Sequence, residues 1–246
     1  MLFSEPLIRG YLIKRYKRFL ADIELEDGRL ITAHCPNTGA MQGLTDPGTP
    51  VWVSRSSNPS RKLAHTWQMA EVEGTFVGMN TANPNSLVED AIHAGVIVEL
   101  QGYQSLRREV SYGKNSRIDI LLENPSEPFT YVEVKNVHMK RGKNAAFPSS
   151  VTTRGAKHMQ ELSEMVRQGH KAYVVYVVQR NDCEGFEIAN DIDPEYGQET
   201  LKAFENGVEA LVYACEVNPE SIRIKNRLTF TSLCGDDEKK RKIVST

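Results

Sequence analysis

The sequence predicts an α/β (α+β) chain of two units: a small N-terminal β-barrel of OB type over residues 1–80, then a domain of order αβββαβ with a mixed sheet over 81–230. Three observations predict it. Short strand-like runs separated by turn chemistry fill the first unit, and the hydrophobic period becomes helical after Asn80. An almost unbroken apolar run, Lys171 to Gln179, has the composition of a central strand covered on both faces.

In the first unit, Arg18 to Glu26 leads through Glu26-Asp27-Gly28 into Arg29 to Cys35, a hairpin signal. A Gly-, Asn- and Pro-containing stretch from Pro36 to Pro50 interrupts the pattern. Val51 to Ser54 and a pair around His65 to Val77 then complete about five strands, as a small closed barrel needs. In the second unit, Asn83 and Pro84 supply an N-cap and a first helical position, and Leu87, Val88, Ala91 and Ile92 form an apolar stripe that Gly95 ends. Three strand-like runs follow, Leu106 to Tyr112, Arg117 to Glu123 and Thr130 to Val137, then a long polar loop. A helix from Thr153 to Gln168 precedes the apolar strand, and its place between neighbouring strands implies a crossover in a mixed sheet. A helix from about Pro194 to Glu205 and strands at Glu209 to Val217 and Ser221 to Leu228 extend the domain, and 231–246 reads as a charged tail that frays from Asp236 to Lys242.

Composition is that of a globular protein, with 40% hydrophobic and 25% charged residues in 246, which excludes disordered and collagen-like classes. No apolar run approaches the roughly 20 residues that span a bilayer, and Glu5 and Pro6 stand where a signal peptide has its apolar core, so a cytoplasmic protein without a membrane partner is expected. Cys35, Cys183, Cys215 and Cys234 form no CxxC pair, so reduced thiols are expected and no zinc knuckle. Cys35-Pro36-Asn37-Thr38-Gly39 lacks a partnered His and Asp in a recognisable order and reads as a structural turn with a buried Cys.

The net charge is −2, yet two stretches are basic and free of acids: Lys14, Arg15, Lys17 and Arg18 follow Arg9, and Lys140, Arg141, Lys143, Arg154 and Lys157 follow Lys135. Such stretches suit a phosphate-binding face, with solvated loops as the alternative. Arg154, Lys157 and His158 open the second helix, where an N-terminus and basic side chains together can anchor phosphate.

The chemistry centres on two strands. The insert Asn124-Pro125-Ser126-Glu127-Pro128 is turn chemistry, so its flanking strands pair antiparallel about Ser126, setting Asp119 opposite Glu133 and Arg117 opposite Lys135. Alternation then places those four side chains on one face and Ile118, Ile120, Val132 and Val134 on the other. Two carboxylates with Cβ atoms about 5 Å apart repel unless a cation lies between them. Oxygen ligands of this kind suit Mg²⁺ or Mn²⁺, with the Val134 carbonyl and Glu89 on the first helix as further candidate ligands. Lys135 is expected to orient or deprotonate the attacking water. The alternative is a surface charge ladder worth about 0–1 kcal/mol per pair.

His34-Cys35-Pro36-Asn37-Thr38-Gly39, Asn80-Thr81 with Asn85, Arg117-Ile118-Asp119, Val132-Glu133-Val134-Lys135-Asn136 and Thr153-Arg154-Gly155-Ala156-Lys157-His158 resemble stretches of the sugar fermentation stimulation (SfsA) family over nearly the whole chain. The resemblance implies an N-terminal OB-like domain and a C-terminal domain similar to PD-(D/E)XK restriction endonucleases. Its nuclease pattern falls on Asp119, Glu133 and Lys135, with Ile118 where the motif's Pro would stand. It also implies DNA binding and a role in regulating sugar, particularly maltose, utilisation.

Two functions are therefore expected in competition: a Mg²⁺- or Mn²⁺-dependent deoxyribonuclease, and a non-catalytic, sequence-nonspecific DNA-binding transcriptional regulator on a nuclease scaffold. A sugar-responsive adaptor has no positive signal. No helix-turn-helix is evident, so little base-edge readout is expected. The oligomeric state is left open, a homodimer included.

Overall fold

The computed structural model describes residues 1–232. Cys234 and the segment from Asp236 to Lys242, expected to fray, lie outside the described residues. The first unit holds six strands, β1 (Ile8–Tyr16), β2 (Leu20–Leu25), β3 (Leu30–His34), β4 (Pro50–Arg55), β5 (His65–Val72) and β6 (Thr75–Gly78). They run in the order β3-β2-β1-β4-β5-β6, and a short parallel pairing of β3 with β5 closes the first five into a barrel. The basic stretch hid β1 because its register slips between Leu12 and Lys14, which breaks the period-2 pattern that alternation would reveal. Inside, Leu12, Ile23, Val51, Val53 and Trp67 pack the core, and the buried Trp67 indole N–H donates to the Met69 carbonyl at 2.9 Å.

The second unit opens with α1 (Pro84–His93), whose Leu87, Val88, Ala91 and Ile92 are buried as the stripe predicts, while Asn83 stands at the N-cap without a side-chain cap hydrogen bond. Next come β7 (Ser105–Tyr112), β8 (Ser116–Glu123) and β9 (Thr130–Val137). The expected polar loop is instead a hairpin of β10 (Met139–Arg141) and β11 (Asn144–Phe147). Then follow α2 (Thr153–Arg167), β12 (Lys171–Val178), β13 (Gly185–Ile188), α3 (Pro194–Glu205), β14 (Glu209–Val217), β15 (Ile222–Arg227) and β16 (Thr229–Ser232). Thr231 and Ser232, expected in the tail, thus finish a strand.

The main sheet runs β15-β14-β12-β9-β8-β7 and is mixed: β12 lies parallel to both β9 and β14, while the outer pairs are antiparallel. A second sheet, β10-β11-β13-β16, uses strands too short to show a period. β12 is covered on both faces. Its Val175 and Val177 pack with α1, whereas Val174, Tyr176 and Val178 pack with Met159 and Leu162 of α2 and Phe204 of α3. Among the described residues no helix is long and apolar enough to cross a membrane.

Barrel and sheet share material. Trp52 and Met69 of the barrel belong to the α1-side core, and Gly78 N–H donates to the carbonyl of fully buried Gln179 at 2.8 Å. The Gln179 amide in turn donates to Asn136 at 2.6 Å, at the end of β9. A Cβ on Gly78 would lie 3.0 Å from the Gln179 Cβ and overlap its amide. Gly78→Ala is expected to destabilise the protein by about 1–3 kcal/mol, read as a lower urea midpoint. An unchanged midpoint would show that the seam yields freely.

Candidate metal and phosphate cleft

The β8–β9 ladder has the predicted register, with Ile120 opposite Val132, Leu121 opposite Tyr131 and Leu122 opposite Thr130. It stops there. At the next position Asp119 turns its carboxylate into the gap, where Oδ2 accepts the Val134 N–H at 2.7 Å and Oδ1 accepts from the Asn85 amide of α1 at 2.9 Å. Opposite it on β7, Glu109 has a φ of +54°, a conformation rare for a non-glycine residue, so the pairing of Asp119 is interrupted on both sides. This break corrects the simple face assignment. Ile118 packs in the α2-side core while Ile120 packs in the α1-side core, so the four polar side chains do not form one flat ladder. Arg117 is exposed and lines a separate depression with Ser111 and Asn115.

Glu133 and Lys135 project toward α2. Glu133 is 2% exposed, and its Oε1 accepts from the Lys135 ammonium at 2.7 Å and from Nδ1 of His158, itself 4% exposed. His158 Nε2 accepts the Arg154 Nε–H at 3.2 Å. Among the described residues Glu133 Oε2 is buried without a hydrogen-bond partner. Burial opposes ionisation of Glu133, but the Lys135 ammonium and the His158 hydrogen bond outweigh it and hold this carboxyl below its ordinary range. Asp119 goes the other way. Burial first, and then the negative charge of Glu133, raise its carboxyl despite the hydrogen bonds from Val134 and Asn85. Two acids in one site are thus pulled apart in proton affinity.

These groups line one cleft of about 290 Å³, together with Thr81, Asn85, Val134, Asn136, Thr152 and Gly155. Thr152 caps α2, its hydroxyl accepting the Gly155 N–H at 3.1 Å, while its own N–H is held by Asp193 at 2.7 Å. One wall leads to the barrel. Thr81 donates to the Pro36 carbonyl at 2.5 Å, and Arg15 holds the carbonyls of Asn37 and Gly39 while Arg18 holds that of Thr38. The Cys35-Pro36-Asn37-Thr38-Gly39 turn therefore stands beside the cleft with Cys35 fully buried.

The other expected residues scatter. Glu89 sits one turn beyond Asn85 and pairs with Arg108 at 3.3 Å, outside the cleft lining; Asn85 occupies the position facing Asp119. Lys14 pairs with half-buried Asp22 of β2 at 3.5 Å, and Lys17 is exposed in the turn after β1. Lys140 pairs with Asp182, Arg141 with Asp191 and Lys143 with Glu184, so a stretch free of acids in sequence is matched by acids from the 182–191 segment. Lys157 donates to the Lys114 carbonyl at 2.7 Å and lies 3.5 Å from Glu161. His158 is buried behind Glu133 rather than displayed on the helix surface. Sequence reasoning missed the contacts of Asn85 and Thr152. The i,i+4 spacing of Arg154 and His158 was the available signal for their hydrogen bond.

A closed five-stranded barrel joined to a mixed-sheet domain of restriction-endonuclease type is the class that this architecture defines. The chain belongs to the sugar fermentation stimulation protein family: the family's RE domain model matches residues 82–221, and its N-terminal OB domain model matches residues 13–79. A sugar fermentation stimulation protein homolog of Rhodospirillum centenum is 54% identical over 233 residues, covering 94% of this chain and 100% of the relative. The homolog of Maricaulis maris is 55% identical over 225 residues, covering 91% and 96%. The solved structure of Pyrococcus furiosus SfsA in complex with Ca²⁺ has a TM-score of 0.85 at 25% identity, over 94% of this chain and 98% of that one.

Since Asp119 titrates above the ordinary carboxyl range, the native state binds more protons than the unfolded state between the two values, and stability falls as pH rises through that window. Above it the cost persists. Asp119→Asn is therefore expected to raise the melting temperature of chelator-treated protein at pH 7, with the gain shrinking below the ordinary Asp range. Calorimetry across pH checks this, and a lower melting temperature for the variant at pH 7 would contradict it.

Proposed function

We propose that the cleft is a divalent-metal centre for hydrolysis of DNA phosphodiesters. One observation carries the reading: Glu133 Oε2 is a buried carboxylate oxygen without a partner among the described residues, in the cleft that Asp119 also lines. An ionised, unsatisfied oxygen in such a place is costly, and a cation is the partner that removes both the cost and the repulsion from Asp119. The residues present fit Mg²⁺ or Mn²⁺, which take one or two protein carboxylates and complete their shells with a carbonyl, water and substrate phosphate. Asp119, Glu133 and the Val134 carbonyl would hold it, without Glu89. The Ca²⁺ bound by the Pyrococcus furiosus relative supports oxygen ligation of a hard cation.

When bound, such a cation supplies Lewis acidity and lowers the pKa of a coordinated water. The protein's own groups do the rest. Val134 N–H and Asn85 fix the Asp119 carboxylate, and Lys135 and His158 fix Oε1 of Glu133 so that Oε2 alone stays open. The Lys135 ammonium lies at the cleft, where positive charge offsets the charge that builds on a phosphoryl group under attack. Arg154 and the α2 N-terminus face the same space and suit the phosphate. Because Lys140, Arg141 and Lys143 are paired with acids, backbone contacts are assigned chiefly to Arg154 and to Lys17 and Arg18 beside the barrel.

One observation favours the second reading, a non-catalytic DNA-binding regulator: the Glu133 carboxylate already has a cationic partner in Lys135 and a hydrogen-bond partner in His158. The family's link to sugar fermentation would lie downstream of DNA binding in either case.

Purified protein with Mn²⁺ is expected to cut single-stranded, branched or nicked DNA, and Glu133→Gln to lower the rate by at least about 10²-fold while keeping the melting temperature within a few degrees. DNA binding that is salt-sensitive but indifferent to chelator, with no cleavage by the parent protein on any of these substrates, would overturn the hydrolytic reading in favour of the regulator.

A further inference from the structure

We propose that His158 is a positioning residue that ties the phosphate anchor Arg154 to the metal ligand Glu133, so that cation and DNA phosphate bind cooperatively. The inference rests on the cleft reading above and adds to it the wiring between its two subsites. A guanidinium only donates, so the 3.2 Å contact from Arg154 Nε makes His158 Nε2 an acceptor. In the neutral ring the proton then resides on Nδ1, which faces Glu133 Oε1 and donates to it. Lys135 Nζ also lies 3.4 Å from Nδ1, but its good hydrogen bond, 2.7 Å, goes to the same Glu133 oxygen. One 4%-exposed ring thus reads the position of Arg154 with one nitrogen and sets the Glu133 carboxylate with the other.

Two further features orient the pair toward a ligand. Among the described residues the terminal nitrogens of Arg154 make no hydrogen bond, and the side chain is exposed along the cleft wall, so its two-pronged edge is available for a non-bridging phosphate oxygen pair. On the other side of the ring, the partnerless Oε2 of Glu133 is available for the cation. Occupying either subsite holds His158 in the orientation that the other requires. Linkage makes the effect reciprocal: phosphate tightens cation binding by the factor by which cation tightens phosphate binding.

Two substitutions divide the ring's functions. His158→Asn keeps a donor near the Nδ1 position and drops the acceptor for Arg154; His158→Gln keeps an acceptor near Nε2 and drops the donor to Glu133. Titration calorimetry with Mn²⁺ alone should give near-parent affinity for His158→Asn and a loss of about tenfold for His158→Gln. In steady-state cleavage, His158→Asn should raise KM for a single-stranded oligonucleotide about tenfold with kcat nearly kept. His158→Gln should lower kcat instead. Arg154→Lys, at an exposed position that leaves folding intact, keeps the charge but removes Nε; with it, a phosphorothioate oligonucleotide should no longer tighten Mn²⁺ binding, as it does in the parent. Parent protein that binds Mn²⁺ with both His158 variants altered alike, or with oligonucleotide tightening retained in Arg154→Lys, overturns the coupling alone. Parent protein that binds no Mn²⁺ overturns the cleft reading and the coupling together.

Discussion

Glu133 is a carboxylate almost sealed from solvent, and the arrangement around it follows from the need to compensate that charge. An isolated buried anion costs several kcal/mol, so the structure supplies Lys135 two residues along the same strand and His158 from the helix packed above. Both address one oxygen. The second oxygen keeps its full demand for a positive partner, and Asp119, nearby and raised in proton affinity, adds to that demand. Packing of the sheet against α2 thus leaves one buried carboxylate oxygen without a hydrogen-bond partner among the described residues, and the metal reading rests on that oxygen.

The scaffold explains why the imbalance can persist. β9 and β12 lie at the middle of the mixed sheet, with apolar cores on both faces, so Glu133 and Lys135 ride on a strand that cannot shift to relieve them. α2 is held at its start by Thr152 and Asp193, which fixes Arg154 and His158 relative to the sheet. The barrel contributes through Gly78, Gln179 and Asn136, and through the Pro36–Gly39 turn that Arg15 and Arg18 brace beside the cleft. The Pro36–Gly39 turn of the barrel therefore stands next to Thr81 at the edge of the cleft.

Much of this is legible in the amino-acid sequence. Turn chemistry around Ser126 gave the hairpin register because a one-residue slip would invert the buried faces, and the helices α1 and α2 carried apolar stripes that local rules recognise, although Asn83 makes no side-chain cap hydrogen bond to α1. What escaped is nonlocal or irregular. β1 was hidden by a register slip among basic residues, and β10, β11, β13 and β16 are too short to show a period. The flat four-residue ladder failed at Asp119 because alternation presumes regular backbone, whereas Glu109 opposite it is left-handed and the ladder opens. Charge along the chain misled in a similar way: Lys140, Arg141 and Lys143 have no acid near them in sequence and meet three in space. Asn85 and His158 were visible as residues, but their contacts depend on how helices dock, which spacing within one segment does not encode.

On the proposed reading, Asp119 and Glu133 share a cation. Anomalous diffraction from crystals soaked in Mn²⁺ tests it most directly. A shared cation gives a single strong peak in the cleft within coordination distance, about 2–2.3 Å, of Asp119 and of Oε2 of Glu133, lost on chelation. A cleft without such a peak, or a peak that ignores Glu133 and sits elsewhere, would contradict it.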